Sequence, residues 1–291
     1  MEVQQGFLSI LAQADEETKA GSPIEGITTA VCVVGVVILA VWLVRDRGPL
    51  ALRGCPVRRN RLPFLLPVAL IGLWIFLTGL SEGLKTLVLS HAPENLQMLY
   101  SYGSMMLIYL FLICLMLALA QTGFARGIRG LGLRLGTIPR DLGMALINLL
   151  ASYPLVLLAV AAVVYAGQHL AGPDFQFEKN PALKDFSESP SLALTITLAV
   201  FTVGFVPVFE ELMFRGMLQT TLRGYLGRPW AAIVITAVPF ALLHPGMHWP
   251  AMLILGCAFG YAYEKSGSLQ RAIFFHAMFN GFNLLASRFG A

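Results

Sequence analysis

The sequence predicts an all-α, polytopic membrane helix bundle with about eight transmembrane helices, and three observations carry that reading. Of the 291 residues, 57% are hydrophobic and only 12% are charged, against about 25% charged in a soluble globular domain. The hydrophobic excess falls into blocks of roughly the 20 residues a helix needs to cross a bilayer. Basic residues gather on alternate connections between blocks, as the positive-inside bias requires if every block crosses.

The first 26 residues hold Glu2, Asp15, Glu16, Glu17 and Glu25 against Lys19, and the apolar run from Phe7 to Ala12 has no basic flank. This segment therefore reads as an extracytoplasmic N-terminal stretch and not as a signal peptide. Apolar blocks follow from Ile27 to Val44, Leu62 to Leu80, Ser101 to Gln121, Leu142 to Gln168, Ser191 to Gln219, Trp230 to His244, Pro250 to Tyr263 and Leu269 to Ser287. The first three, within residues 27–129, form an N-terminal group, and residues 130–287 hold the remaining five.

Loop charge sets the expected orientation. Six arginines and one aspartate lie between Arg45 and Arg61; Arg126, Arg129, Arg134 and Arg140 precede the fourth block; Arg223 and Arg228 follow the fifth. The connection between blocks four and five is acidic, with Asp174, Glu178, Asp185 and Glu188 against Lys179 and Lys184. Both termini are thus expected outside the cytoplasm. The net charge of +4 resides in these arginine clusters, so it reports contact with membrane lipid, and no nucleic-acid partner is expected. Cys32, Cys55, Cys114 and Cys257 have neither metal-site nor redox-pair spacing and read as free thiols. The glycines from Gly127 to Gly136 lack the strand-then-helix setting of a phosphate loop. Glu82 with Lys85 reads as a local ion pair, Glu264 with Lys265 as the end of block seven, and His91, His169 and His248 as solvated or interfacial residues.

A charged side chain near the bilayer centre costs about 2.5–3.5 kcal/mol on insertion scales, so ionisable residues inside the blocks are the informative ones. Block five contains Glu210, Glu211 and Arg215; block six ends with Phe240 and His244; block eight holds His276 and Asn280. Glu211 and Arg215, four apart with the acid first, meet on one helix face. Glu210 lies about 100° round the helix, with Phe214 as its i+4 neighbour, and must find a partner elsewhere. Pro207 removes a backbone donor just before the acids and bends the helix there. Taken singly, His244 is equally a packing residue, and His276 with Asn280, one turn apart, equally interhelical glue. Taken together, an unpartnered glutamate, two histidines and an asparagine on three helices are the parts of amide hydrolysis: a base on water and N–H donors for an oxyanion.

The pattern EExxxR, FxxxH, HxxxN on successive helices, here Glu210-Glu211 with Arg215, Phe240 with His244, and His276 with Asn280, resembles the CAAX prenyl endopeptidase and bacteriocin-processing family of intramembrane proteases (the CPBP or ABI-domain group). Gly130-Leu-Gly-Leu-Arg134 resembles the segment that leads into that domain, so the resemblance covers residues 130–287. It implies a glutamate-dependent endopeptidase acting on a membrane-associated, in some members prenylated, protein or peptide. Glu210 and His244 would activate water, His276 and Asn280 would stabilise the oxyanion, and Glu211, Arg215 and Phe240 would support them. Glu210, His244 and His276 are residue types that zinc accepts, but without HExxH or cysteine ligands at zinc spacing the expectation is a mechanism with no metal or other cofactor. The alternatives are a non-catalytic scaffold or bacteriocin-immunity protein that keeps the fold, and a transporter, which would show matching interrupted halves.

Overall fold

The computed structural model describes residues 23–177, 181–189 and 191–289. Most of the acidic N-terminal segment, and Glu178 and Lys179, lie outside the described residues. Each apolar block folds as one helix: α1 (Pro23–Arg45), α2 (Leu66–Leu89), α3 (Glu94–Gly123), α4 (Ile138–Ala171), then a short α5 (Pro181–Ser187), α6 (Leu192–Leu226), α7 (Pro229–Leu242), α8 (Trp249–Ser266) and α9 (Leu269–Phe289). The starts and stops follow local chemistry. Proline occupies the first turn of α2, α4, α7 and α8, where its missing N–H costs nothing. Gly227 and Gly267 take left-handed conformations and close α6 and α8.

The bundle is an integral membrane one. α1, α2, α3, α4 and α6 are long and apolar enough to cross a bilayer; α7 is apolar but shorter, and α8 and α9 carry more polar residues. α6 runs through the middle: Phe209 to Met217 are buried on every side of the helix. A helix enclosed in this way must be apolar all round or find internal partners for its charges.

The connections expected on one side meet at one end. Arg61 N–H donates to Gly123 O at 2.7 Å and Ala125 N–H to Arg59 O at 3.0 Å. Lys265 donates to Ala51 O and Trp230 to Pro49 O, and Ser268 donates to Gly132 O. At the other end Tyr102 donates to Asp185, Arg288 to Ser187 O, and Phe177 packs on His248. Among the described residues, eight long helices therefore alternate in direction, as the loop charges lead one to expect.

Two sequence expectations need correcting. Arg223 is not a loop cation, and Glu264 does not merely mark a helix end with Lys265. Glu264 is buried and accepts from Arg223 Nε at 2.9 Å and Arg58 Nη1 at 3.2 Å. Arg223 also donates to Cys55 O, and the Arg58 guanidinium lies 3.7 Å over the Tyr263 ring. Two cations on one carboxylate hold the first loop, α6 and α8 together, so α6 continues past the predicted limit at Gln219. His169 sits in the last turn of α4, exposed, its Nδ1 on Tyr165 O. Glu82 and Lys85 do pair locally, and all four cysteines are free thiols.

Gly132 joins the α3–α4 connection to the α8–α9 turn. Its φ is +82°, and a Cβ there would lie 1.9 Å from Gly267 O. Gly132→Ala is therefore expected to lose roughly 2 kcal/mol or more of stability, read as a lower thermal midpoint in detergent. Gly136→Ala, whose Cβ meets nothing within 4 Å, should leave the midpoint unchanged.

Candidate active site

Glu210 sits 18 residues from the start of α6 and 16 from its end, so about 24–27 Å of helix extends on either side. The acids are at mid-bundle, not at a headgroup. Around them the backbone widens: Phe201–Phe205 and Leu212–Gln219 are π-helical, with α-helical Val206–Glu211 between. Pro207 lies in that central turn, where it cannot donate a hydrogen bond. Wide turns of this kind recur where a helix must aim side chains that a regular turn would misplace.

Glu211 and Arg215 are both fully buried and paired, Arg215 Nη1 donating to Glu211 Oε1 at 3.0 Å. The second guanidinium nitrogen donates to Gly256 O on α8 at 3.0 Å. Its carbon lies 4.5 Å over the Phe240 ring and 5.2 Å from that of Phe259, so aromatic faces supply the rest of its environment. The same Glu211 Oε1 meets His276 Nδ1 at 3.0 Å. Beside a guanidinium Glu211 stands as a carboxylate, an acceptor only, so His276 Nδ1 carries the hydrogen and donates. The other ring nitrogen, Nε2, faces Glu210 Oε2 at 3.8 Å. The gap is too long for a hydrogen bond and short enough for one water oxygen to reach both. Glu210 Oε2 is buried with no hydrogen-bond partner among the described residues. The ring of His276 is held flat on Phe259, 4.7 Å between centroids, and edge-on to Phe240.

His244 ends up just past α7 with its Nδ1 2.8 Å from Phe240 O. A carbonyl only accepts, so here too Nδ1 donates. Its ring packs 5.0 Å from Phe240, and Trp249 donates to its backbone oxygen. Asn280, one turn along α9 from His276, donates one amide hydrogen to Thr202 O at 2.9 Å, inside the first wide segment of α6. The structure thus gathers Glu210, Glu211, Arg215, Phe240 and His276 in direct contact. His244 joins them through Phe240, and Asn280 through the backbone of α6.

Four participants were not singled out in the sequence. Gly256 supplies the carbonyl for Arg215, and a Cβ on it would lie 2.9 Å from the Ala237 Cβ. Phe259 carries the His276 ring, Thr202 receives Asn280, and Tyr109 of α3 stacks on Phe209 at 4.0 Å, beside Glu210. Gly256 and Gly260, four apart, had the small-residue spacing of a close helix contact; the other three carried no signal. Among the described residues no three His, Cys, Asp or Glu side chains are arranged to hold a metal ion.

Removing Arg215 would strand the Glu211 charge in the bundle. Arg215→Leu is expected to cost about 3–5 kcal/mol, and Glu211→Leu/Arg215→Leu distinctly less than the single change. Unfolding midpoints of the two variants in detergent check this.

Residues 190–282, about a third of the chain, match the family model described as type II CAAX prenyl endopeptidase Rce1-like, and all seven residues of the three motifs fall within that span. No curated protein and no solved structure matches the chain.

Proposed function

We propose that this chain, which carries a type II CAAX prenyl endopeptidase Rce1-like domain at residues 190–282, is a glutamate-dependent protease. Its substrate is a peptide bond near the C-terminus of a membrane-associated, CAAX-type protein or peptide. The match supports a CAAX-type membrane protease in general; the residue roles are our reading. One observation supports them above the others: of two adjacent buried acids, Glu211 is held through Oε1 by Arg215 and His276, its Oε2 unpartnered, while Glu210 has no ion pair to a guanidinium among the described residues and its unpartnered Oε2 lies 3.8 Å from His276 Nε2.

In this mechanism a water hydrogen-bonds to Glu210 and to His244 Nε2. Glu210 takes one of its protons as the oxygen attacks the scissile carbonyl carbon. The proton is shared with His276 Nε2, and the imidazolium charge is stabilised through Nδ1 by Glu211, the arrangement by which a carboxylate supports a catalytic histidine in hydrolase triads. Protonated Nε2 and the second amide hydrogen of Asn280 are then N–H donors for the oxyanion. When the carbon–nitrogen bond breaks, the proton passes to the departing amine, and the remaining hydroxyl proton of the new carboxylic acid follows it, leaving a carboxylate and an ammonium group. No step uses a metal or other cofactor. The basic end of the bundle is assigned to the cytoplasm and both termini to the other side, supported by the positive-inside bias. Residues 130–287 are taken as the protease unit. α2 and α3 steady α6 beside Glu210 through Trp74 and Tyr109, which pack on Phe209.

The test is cleavage of a fluorogenic farnesylated peptide, and of an unmodified peptide library, by purified protein in detergent. Glu210→Gln is expected to lower kcat by about 10²–10⁴ and Asn280→Ala by about 10²–10³, each with little change in KM, while a zinc chelator leaves the wild-type rate intact. A Glu210→Gln variant as fast as wild type, or wild-type activity lost to the chelator, would contradict the reading.

A further inference from the structure

A large cavity lies away from the acids. A cleft of about 1120 Å³ opens between α1, α4 and α8, and none of Glu210, Glu211, His244, His276 or Asn280 lines it. Sites for small molecules typically span about 300–1,000 Å³, so this one suits a larger or longer occupant.

Its walls are apolar, with Leu39 of α1, Met144 and Ile147 of α4, Leu253 and Ile254 of α8, and Phe275 behind them. Its mouth is cationic: Arg45, Arg134, Arg140 and Lys265 border it, all at the basic end. Two acids also line it. Asp141 is spent on Arg271, Ser268 and Gln270, which leaves Asp46 against four cations. The salt bridges at this end run from Arg58, Arg223 and Arg271, and none among the described residues engages Arg45, Arg134 or Arg140.

The depth is that of one leaflet. From Arg140 to Leu155 and from Lys265 to Leu253 the lining residues span about 22 Å and 18 Å of helix, against about 20–22 Å for half of a bilayer with its headgroups. α1 closes the outer side because Gly35 lets it approach α4, where a Cβ would lie 2.2 Å from Leu150 O, and because Trp42 donates to Tyr261 OH at 2.8 Å.

We propose that the cleft is a binding site for one anionic glycerophospholipid, its acyl chain between α1, α4 and α8 and its phosphate among Arg45, Arg134 and Arg140. Charge selects the occupant: a zwitterionic lipid brings its own cation to a mouth that already has three in excess. This site is separate from the proposed catalytic chemistry and does not depend on it.

Trp42 and Trp230 line the cleft, whereas Trp74 and Trp249 do not, so phosphatidylglycerol with brominated acyl chains reports occupancy by quenching. Purified protein in detergent should show saturable quenching at low mole fraction of brominated phosphatidylglycerol, and only a shallow, non-saturating decline with brominated phosphatidylcholine. The half-saturating mole fraction should rise about thirtyfold in Arg45→Gln/Arg140→Gln and about fivefold in Arg134→Gln, with unchanged thermal midpoints. Arg134→Gln, in the loop before α4, carries the test alone if the double variant fails to fold. Equal quenching by the two lipids, or substitutions without effect on half-saturation, would overturn the proposal. So would displacement of the brominated lipid by a farnesylated peptide, which would give the cleft to substrate.

Discussion

A guanidinium without access to solvent must have its charge met inside the bundle, and Arg215 meets it with one carboxylate, one carbonyl and two aromatic faces, although its Nε finds no hydrogen-bond partner among the described residues. The carboxylate of Glu211 belongs to the same helix, the Gly256 carbonyl to α8, and the rings of Phe240 and Phe259 to α7 and α8. Because Glu211 Oε1 also receives His276, α9 is drawn to the same point. Four helices thus converge on one ion pair whose removal from water is costly and whose disruption is costlier still. The next residue along α6 inherits the consequence. Glu210 is carried into the same dry interior, but Arg215 is paired with its neighbour, and it is left facing His276 Nε2 across 3.8 Å. The fold thereby holds a buried acid whose Oε2 has no hydrogen-bond partner among the described residues.

Placing such a pair at mid-bundle constrains the rest of the chain. α6 is enclosed from Phe209 to Met217, so its neighbours approach from all sides, and small residues permit this where Gly256 and Gly260 face α7 and α6. The two π-helical segments bracket the acids and redirect the side chains between them. Asn280 donates into the first of these segments at Thr202, which couples α9 to the backbone geometry that aims Glu210. At the basic end, Glu264 with Arg58 and Arg223 binds the first loop to α6 and α8, and the cleft beside α1 opens at that same end.

Much of this was legible in the sequence, for a physical reason. The hydrocarbon thickness fixes the length of each apolar block, so all eight blocks reappear as helices. Charged residues inside such blocks are costly enough to be rare, so Glu210, Glu211, Arg215, His244 and His276 could be found by inspection. The Glu211–Arg215 contact followed from helical spacing alone. What depended on tertiary partners was not legible. Arg223 looked like a loop cation because Glu264, 41 residues away, cannot be assigned to it from local pattern. The widened turns of α6 need a three-dimensional setting to be preferred over a regular helix. His276 and Asn280 share a helix face as their spacing implied, yet their hydrogens go to Glu211 and Thr202, and only the arrangement of α6 against α9 decides that.

The central claim is a division of labour between two adjacent acids, one holding the fold and the other held ready by it. Its most direct test is the thermal midpoint of Glu210→Gln in detergent, compared with that of Glu211→Gln. If Glu210 is retained for chemistry at the expense of stability, neutralising it leaves the midpoint equal to wild type or higher, whereas neutralising Glu211 lowers it by several degrees. A Glu210→Gln midpoint depressed as far as that of Glu211→Gln would make Glu210 a structural residue like its neighbour and contradict the account.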